Sequence, residues 1–158
     1  MARYQDIDLD PVGLISEGGA RFSLIPRPEL HRSTVGGTPH LVVDIELLSP
    51  DRLVRYLSRV LSRTAVEQLT SLFMSSAEDA HPELTVAAVT DEGAGLMVAV
   101  VGSDLLTVAM QVTVIAELGA AVLDHDAVAF DISRAALISG SHQLDDWIGE
   151  LGEMEAAS

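Results

Sequence analysis

The sequence predicts an α+β protein: a two-layer antiparallel sheet with helices on one face, a ferredoxin-like (split βαβ) core, an N-terminal hairpin and a C-terminal helix. Three observations carry this prediction. From residue 40 onward, segments of two-residue apolar alternation interleave with capped segments of helical spacing. Their order reads β-α-β-β-α-β and then a helix, which is the split βαβ order. Hydrophobic residues make up 48% of the 158 and the mean hydropathy is +0.32, enough for a packed core and too apolar for a disordered chain.

Residues 1–20 are polar, with Gly18-Gly19 as a turn signal. Arg21–Pro26 reads as a short strand paired with Val12–Ile15. Residues 27–38 are loop-like, because Pro28 and Gly36-Gly37 break any periodicity. The chain is expected to be one domain. Residues 1–38 form an irregular, hairpin-containing extension, 39–151 the core and 152–158 a frayed tail.

His40–Leu48 alternates. Leu41, Val43, Ile45 and Leu47 face one way, and His40, Val42, Asp44 and Glu46 the other, which predicts a half-buried strand. Ser49-Pro50-Asp51 then predicts a helix start, with a capping serine, a proline suited to the first turn and an acidic residue at the positive end of the dipole. Leu53, Tyr56, Leu57, Val60 and Leu61 supply its apolar stripe. Thr64 and Glu67 have capping-box spacing, so the helix either restarts there or continues to about Ser76.

Glu83–Thr90 and Gly95–Gly102 read as two strands joined by the short loop at 91–94, and the second, apolar on both faces, is placed centrally. Ser103–Gly119 is ambiguous. Val108, Met110, Val112 and Val114 alternate as in a strand, but Ser103 and Gly119 are helix-end residues, and the helix is preferred on that ground. Such a helix would be apolar nearly all round and buried on more than one side. Ala120–Asp131 is expected as strand, turning at Asp124-His125-Asp126. Leu144–Leu151 is expected as a short amphipathic helix anchored by Trp147 and Ile148. No internal repeat is visible.

Charge is divided unevenly. Residues 1–63 hold eight arginines and eight carboxylates, whereas residues 64–158 hold one arginine and sixteen carboxylates. The net charge of −15 therefore resides in the second segment, and lysine is absent. Nucleic acid is a poor fit, since phosphate binding needs a basic face. A partner that is itself basic fits better. With no cysteine, neither a disulfide framework nor a thiolate metal site is expected. No apolar run approaches a membrane span, and the first ten residues lack a signal-peptide core, so a cytoplasmic protein is expected.

Candidate sites are few. Asp44 and Glu46, about 7 Å apart by strand rise, could share a divalent cation or act as an acid–base pair. His40 lies roughly 13 Å from Asp44 by the same rise and cannot join them without a bend. Arg52, Arg55, Arg59 and Arg63 would form one stripe on a helix face, suited to an anionic ligand or an acidic surface. Asp145, Asp146 and Glu150 are the candidate acidic partner-facing cluster. Asp124, His125 and Asp126 suit a turn better than a ligand set, because neighbours in a strand point to opposite faces. Ser141-His142 forms no recognisable triad, and neither Gly-Gly pair matches a phosphate-cradling loop. No metal or cofactor is expected.

In size, acidity and helix–hairpin–helix–strand order from Ser49, the chain is similar to type III secretion chaperones at the level of class, with no shared residue motif. The function expected is a non-catalytic protein-binding module: an adaptor, chaperone or toxin-neutralising partner, homodimeric because apolar surface is in excess. The alternative is a small enzyme with its site on the open sheet face around Asp44 and Glu46.

Overall fold

A computed structural model describes residues 10–27, 40–78, 87–91, 93–104, 106–115 and 125–157. It is an α+β protein with two antiparallel four-stranded sheets and two helices. The first sheet is a meander of β1 (Val12–Ile15), β2 (Arg21–Pro26), β3 (His40–Ser49) and β4 (Arg52–Ser62), followed by α1 (Arg63–Glu78). The second is a meander of β5 (Ala87–Asp91), β6 (Leu96–Ser103), β7 (Thr107–Ile115) and β8 (His125–Ser133), followed by α2 (Arg134–Ala157).

The molecule is thus a ββββα unit used twice, and the strand registers make the two units superposable in their pairing. In the first sheet the inward rows across the strands are Leu14–Phe22–Leu47–Val54, Val12–Leu24–Ile45–Tyr56, Pro26–Val43–Arg59 and Leu41–Leu61. In the second they are Asp91–Leu96–Val114–Asp126, Val89–Val98–Val112–Val128, Val100–Met110–Phe130 and Val108–Ile132. Directly opposite residues share a face of an antiparallel pair, so each row lines the core. The helices begin alike. Ser62 Oγ accepts from Ala65 N at 3.1 Å and Ser133 Oγ from Ala136 N at 3.2 Å, each followed by an arginine. A serine oxygen in that place satisfies one of the orphan N–H groups of the first turn.

One core joins the two units. The helices pack on each other. Each also crosses to the first strand of the other sheet, α1 to β5 and α2 to β1. Val66, Leu69 and Phe73 from α1 and Leu137, Leu144 and Trp147 from α2 are buried there. A Cβ at Gly140 would lie 3.2 Å from Leu14 and 3.5 Å from Phe73, so a glycine lets α2 approach both β1 and α1. Arg134 donates to the carbonyls of Ser76 and Ala77 at 2.9 Å each, tying the start of α2 to the last turn of α1.

Several sequence expectations hold. β1, β2 and their pairing, β3, the hairpin at 91–94 and the central place of β6 are all observed. The strand order is not that of a split βαβ sheet: every described pairing joins strands consecutive in sequence, in two separate sheets. This removes the element order on which the likeness to type III secretion chaperones rested.

The helix expected from Ser49 is strand β4. Pro50 and Asp51 form a hairpin turn, and a bulge follows in β4, where Leu57 and Ser58 lie opposite the single residue Asp44. The extra residue spaces the inward positions Val54, Tyr56, Arg59 and Leu61 by two, three and two, which imitates helical spacing. The helix begins at Arg63, and its cap is Ser62 rather than Thr64. Where a helix is preferred over 103–119, Thr107–Ile115 is strand β7, as its alternation indicated, and residues 116–119 lie outside the described residues. α2 is far longer than the helix expected at 144–151 and continues through Ala157 instead of fraying from 152. β3 is buried on both faces rather than half-buried. Asp124 and the expected loop at 28–38 lie outside the described residues.

Candidate functional site

Both described helices pack on the inward faces, so none of the described helices lies on the outward face of the first sheet. Its rows, read across the strands, are Ile15–Arg21–Leu48–Leu53, then Gly13–Ser23–Glu46–Arg55, then Ile25–Asp44 opposite the bulge, then Val42–Val60. Arg27 extends the last row, its N–H donating to the Val42 carbonyl at 2.8 Å. Two carboxylates at the centre of this face, Asp44 and Glu46, are 2% and 5% exposed.

Burial of a carboxylate is costly unless it is paired and hydrogen-bonded, and both are. Asp44 accepts from Arg27 Nη1 at 2.8 Å with one oxygen and from the Ser58 N–H at 2.9 Å with the other. Ser58 has φ 57°, in the left-handed region that a non-glycine residue rarely occupies. Asp44 thereby satisfies the N–H that the bulge removes from the ladder. Glu46 accepts from Arg55 Nε at 3.1 Å and Nη2 at 2.7 Å, and from Arg21 Nη2. The Arg55 bonds, and the Arg21 bond after them, hold its carboxyl below the usual glutamate range against the opposing effect of burial.

All four oxygens are therefore engaged inside the chain. A metal or an acid–base pair would need some of those lone pairs. Among the described residues, no group of three or more His, Asp or Glu is placed to hold a metal ion. Two clefts lined by described residues do not include Asp44 or Glu46. One of about 500 Å³ lies between α1 and β5, bordered by Glu67, Gln68, Ser71 and Leu72. The other, about 410 Å³, lies between the β1–β2 turn and β8, bordered by Ser16, Glu17, Asp131 and Ser133.

The four arginines expected on one stripe are distributed to separate places, because β4 is a strand. Arg55 lies outward on Glu46. Arg52 and Arg59 lie on inward rows. Arg52 bonds Asp126 at 2.9 Å, and the Tyr56 hydroxyl donates to the same carboxylate. Arg59, 8% exposed, stacks 5.1 Å from the Tyr56 ring centroid. It donates to the carbonyls of Ala94 at 3.2 Å and Ile115 at 3.0 Å, and burial lowers its pKa from the ordinary arginine value. Arg63 begins α1 and bonds Glu67 one turn on, at 3.0 Å. Arg52 and Arg59 thus fasten the first sheet to the second.

Asp145 and Asp146 are exposed on α2, and Glu150 is partly exposed. Ser141 is fully buried and donates to the Ile138 carbonyl at 2.8 Å, a helix-internal bond. Among the described residues seven large apolar side chains are exposed, and four of them belong to the first sheet: Ile15 at 63%, Leu53 at 58%, Leu57 at 61% and Val60 at 37%. The sequence singled out Asp44, Glu46 and Arg55 but missed Arg21 and Arg27. The signal was present in the alternation of Arg21–Pro26, which puts Arg21, Ser23 and Ile25 on one face once β2 pairs with β3. No protein-family model matches the chain, and no curated protein sequence matches it.

Proposed function

We propose that the protein is a non-catalytic protein-binding module, acting as an adaptor, chaperone or toxin-neutralising partner. The observation that supports this over an enzyme is the state of Asp44 and Glu46. Each is buried and bonded through both oxygens, so neither is poised to exchange a proton or hold a substrate. The outward face around them combines half-exposed arginines, a residue type enriched at protein interfaces, with exposed aliphatic side chains that association would bury.

No described helix is long and apolar enough to cross a membrane. A cytoplasmic, homodimeric protein whose acidic half attracts a basic partner remains part of this proposal. Affinity purification from the native cell, followed by mass spectrometry, tests it. A stoichiometric protein partner is the expected result. Stoichiometric substrate turnover without any protein partner overturns it. Light scattering at micromolar concentration tests the dimer, which a mass of one chain refutes.

A further inference from the structure

The outward face of the first sheet has an imbalance that the rest of the chain does not lead one to expect. Glu46 is one carboxylate held between two guanidiniums, Arg21 and Arg55, whose side chains are 36% and 51% exposed. Neither arginine makes another ion pair among the described residues, and Arg21 Nε is buried without a hydrogen-bond partner. This triad therefore carries one excess positive charge in a chain of net −15. On the side toward the β1–β2 and β3–β4 turns its neighbours are apolar. Ile15, Leu48 and Leu53 share the Arg21 row, and Leu53 lies two residues from Arg55 on the same face.

Resting on the protein-binding reading above, we infer that this face docks a partner segment presenting a carboxylate flanked by aliphatic residues. The aliphatic groups pack on Ile15, Leu48 and Leu53, and the carboxylate bridges Arg21 and Arg55. Charge complementarity selects this occupant. A third ionic group between the two guanidiniums neutralises the triad, and charge-assisted bonds to an arginine fork are directional as well as strong. A basic segment would instead meet two guanidiniums whose single carboxylate is already saturated.

The acidic bulk of the chain acts at longer range. It favours approach by a partner of positive net charge, while the contact itself requires one carboxylate. Long-range attraction and short-range recognition thus select different features of the same partner.

The test is selection of a random displayed peptide library against the immobilised full chain, followed by binding measurements with the enriched peptides. The expected peptides carry Asp or Glu between aliphatic residues. Arg55→Gln and, separately, Leu53→Ser should each weaken them about tenfold or more, the loss of one charged hydrogen bond or one well-packed anchor. Leu53 is 58% exposed, so Leu53→Ser leaves the core intact, whereas Arg55→Gln also removes two bonds from the buried Glu46, and the Leu53 variant decides the test if the Arg55 variant loses stability. Ile138→Ser on α2 should leave binding unchanged. Enriched peptides that are basic, or that respond to Asp145→Asn and Asp146→Asn but not to the sheet variants, overturn this docking face and leave the protein-binding reading intact. Absence of enrichment overturns the docking face alone, because isolation of a native partner tests the broader reading independently. A dimer dissociated by Leu53→Ser places a second copy on the face and overturns the proposed occupant.

Discussion

Glu46 and Thr113 occupy the same place in two equivalent sheets, as do Asp44 and Gln111, and Arg55 and Ala127. The first sheet turns a buried, charged network outward. The second turns out the neutral rows Thr90–Met97–Thr113–Ala127 and Ala88–Ala99–Gln111–Ala129, with the exposed carboxylate of Asp131 in the row beyond them. Inward, the correspondence runs row by row, with aliphatic opposite aliphatic at most places. The exceptions are informative. Arg59 stands where the second unit has Phe130, Asp91 where the first has Leu14, and Asp126 where the first has Val54. Each of these three polar residues contacts the other unit: Arg59 reaches Ala94 and Ile115, Asp91 accepts from the Ser62 N–H at 3.0 Å, and Asp126 takes Arg52 and Tyr56. The shared rows build each sheet. The departures join the two sheets, and outside the core they distinguish one surface from the other.

The largest test of this equivalence concerns Phe73 and Leu144, at matching positions of α1 and α2 and both fully buried. Phe73→Ala should cost about 3–5 kcal/mol and Leu144→Ala about 2–5 kcal/mol. Each should shift one common unfolding transition seen by circular dichroism and Trp147 fluorescence. Two separated transitions, with one variant moving only one of them, would show that the units do not share a cooperative core.

Arg59→Met asks whether the polar departures hold the sheets together. The change removes the donor to two carbonyls, and an unpaired buried acceptor costs about 1–3 kcal/mol. Chemical denaturation should report a loss in that range. Unchanged or increased stability would mean that desolvating Arg59 already cancels its bonds.

Glu46 and Thr113 should part company in acid. The folded Glu46 has its pKa depressed below the ordinary glutamate value. Its contribution to stability is therefore fully present above that value and is lost as pH falls through the lower folded pKa. Unfolding measured across the acid range should show Glu46→Gln flattening this limb of the profile, while Thr113→Val leaves it unaltered. An identical acid limb in wild type and Glu46→Gln would remove the pair from the account.

The smallest effects come from two glycines of α2. Gly149 has open space around it, so Gly149→Ala should stabilise by about 0.5–1 kcal/mol through helix propensity. At Gly140 the same gain is opposed by the 3.2 Å approach to Leu14 in a fully packed layer, and overpacking of about 1–3 kcal/mol should prevail. Opposite signs in thermal melts are expected. Stabilisation at both positions would show that β1 yields freely.

The repeat was hidden in the sequence for a physical reason. Equivalent inward positions need only be aliphatic, so Leu24 and Val98, or Leu61 and Ile132, match in the core without matching as letters. The extra residue at Leu57–Ser58 shifts the alignment within β4 as well. Identity survives chiefly at Ser62-Arg63 and Ser133-Arg134, with Ala65 and Ala136 after them, where a cap constrains the residue type.

Local chemistry alone determined the turn at Gly18-Gly19, the strands at 12–15, 21–26 and 40–49, the hairpin into β6, and the burial of Trp147. In each, residue type and spacing respond to the chain's own neighbours. The sequence also located Asp44 and Glu46, because charged residues within an apolar alternation are conspicuous, and it reached Arg55 only through a helical stripe that is a strand in the structure. Only the tertiary structure decided that β4 and β7 are strands. Bulged or capped apolar segments satisfy helical and extended patterns alike until cross-strand partners choose between them. It decided too that the carboxylates are occupied rather than available, since Arg21 and Arg27 reach them across strand pairings of 25 and 17 residues' separation, a distance that no local pattern encodes.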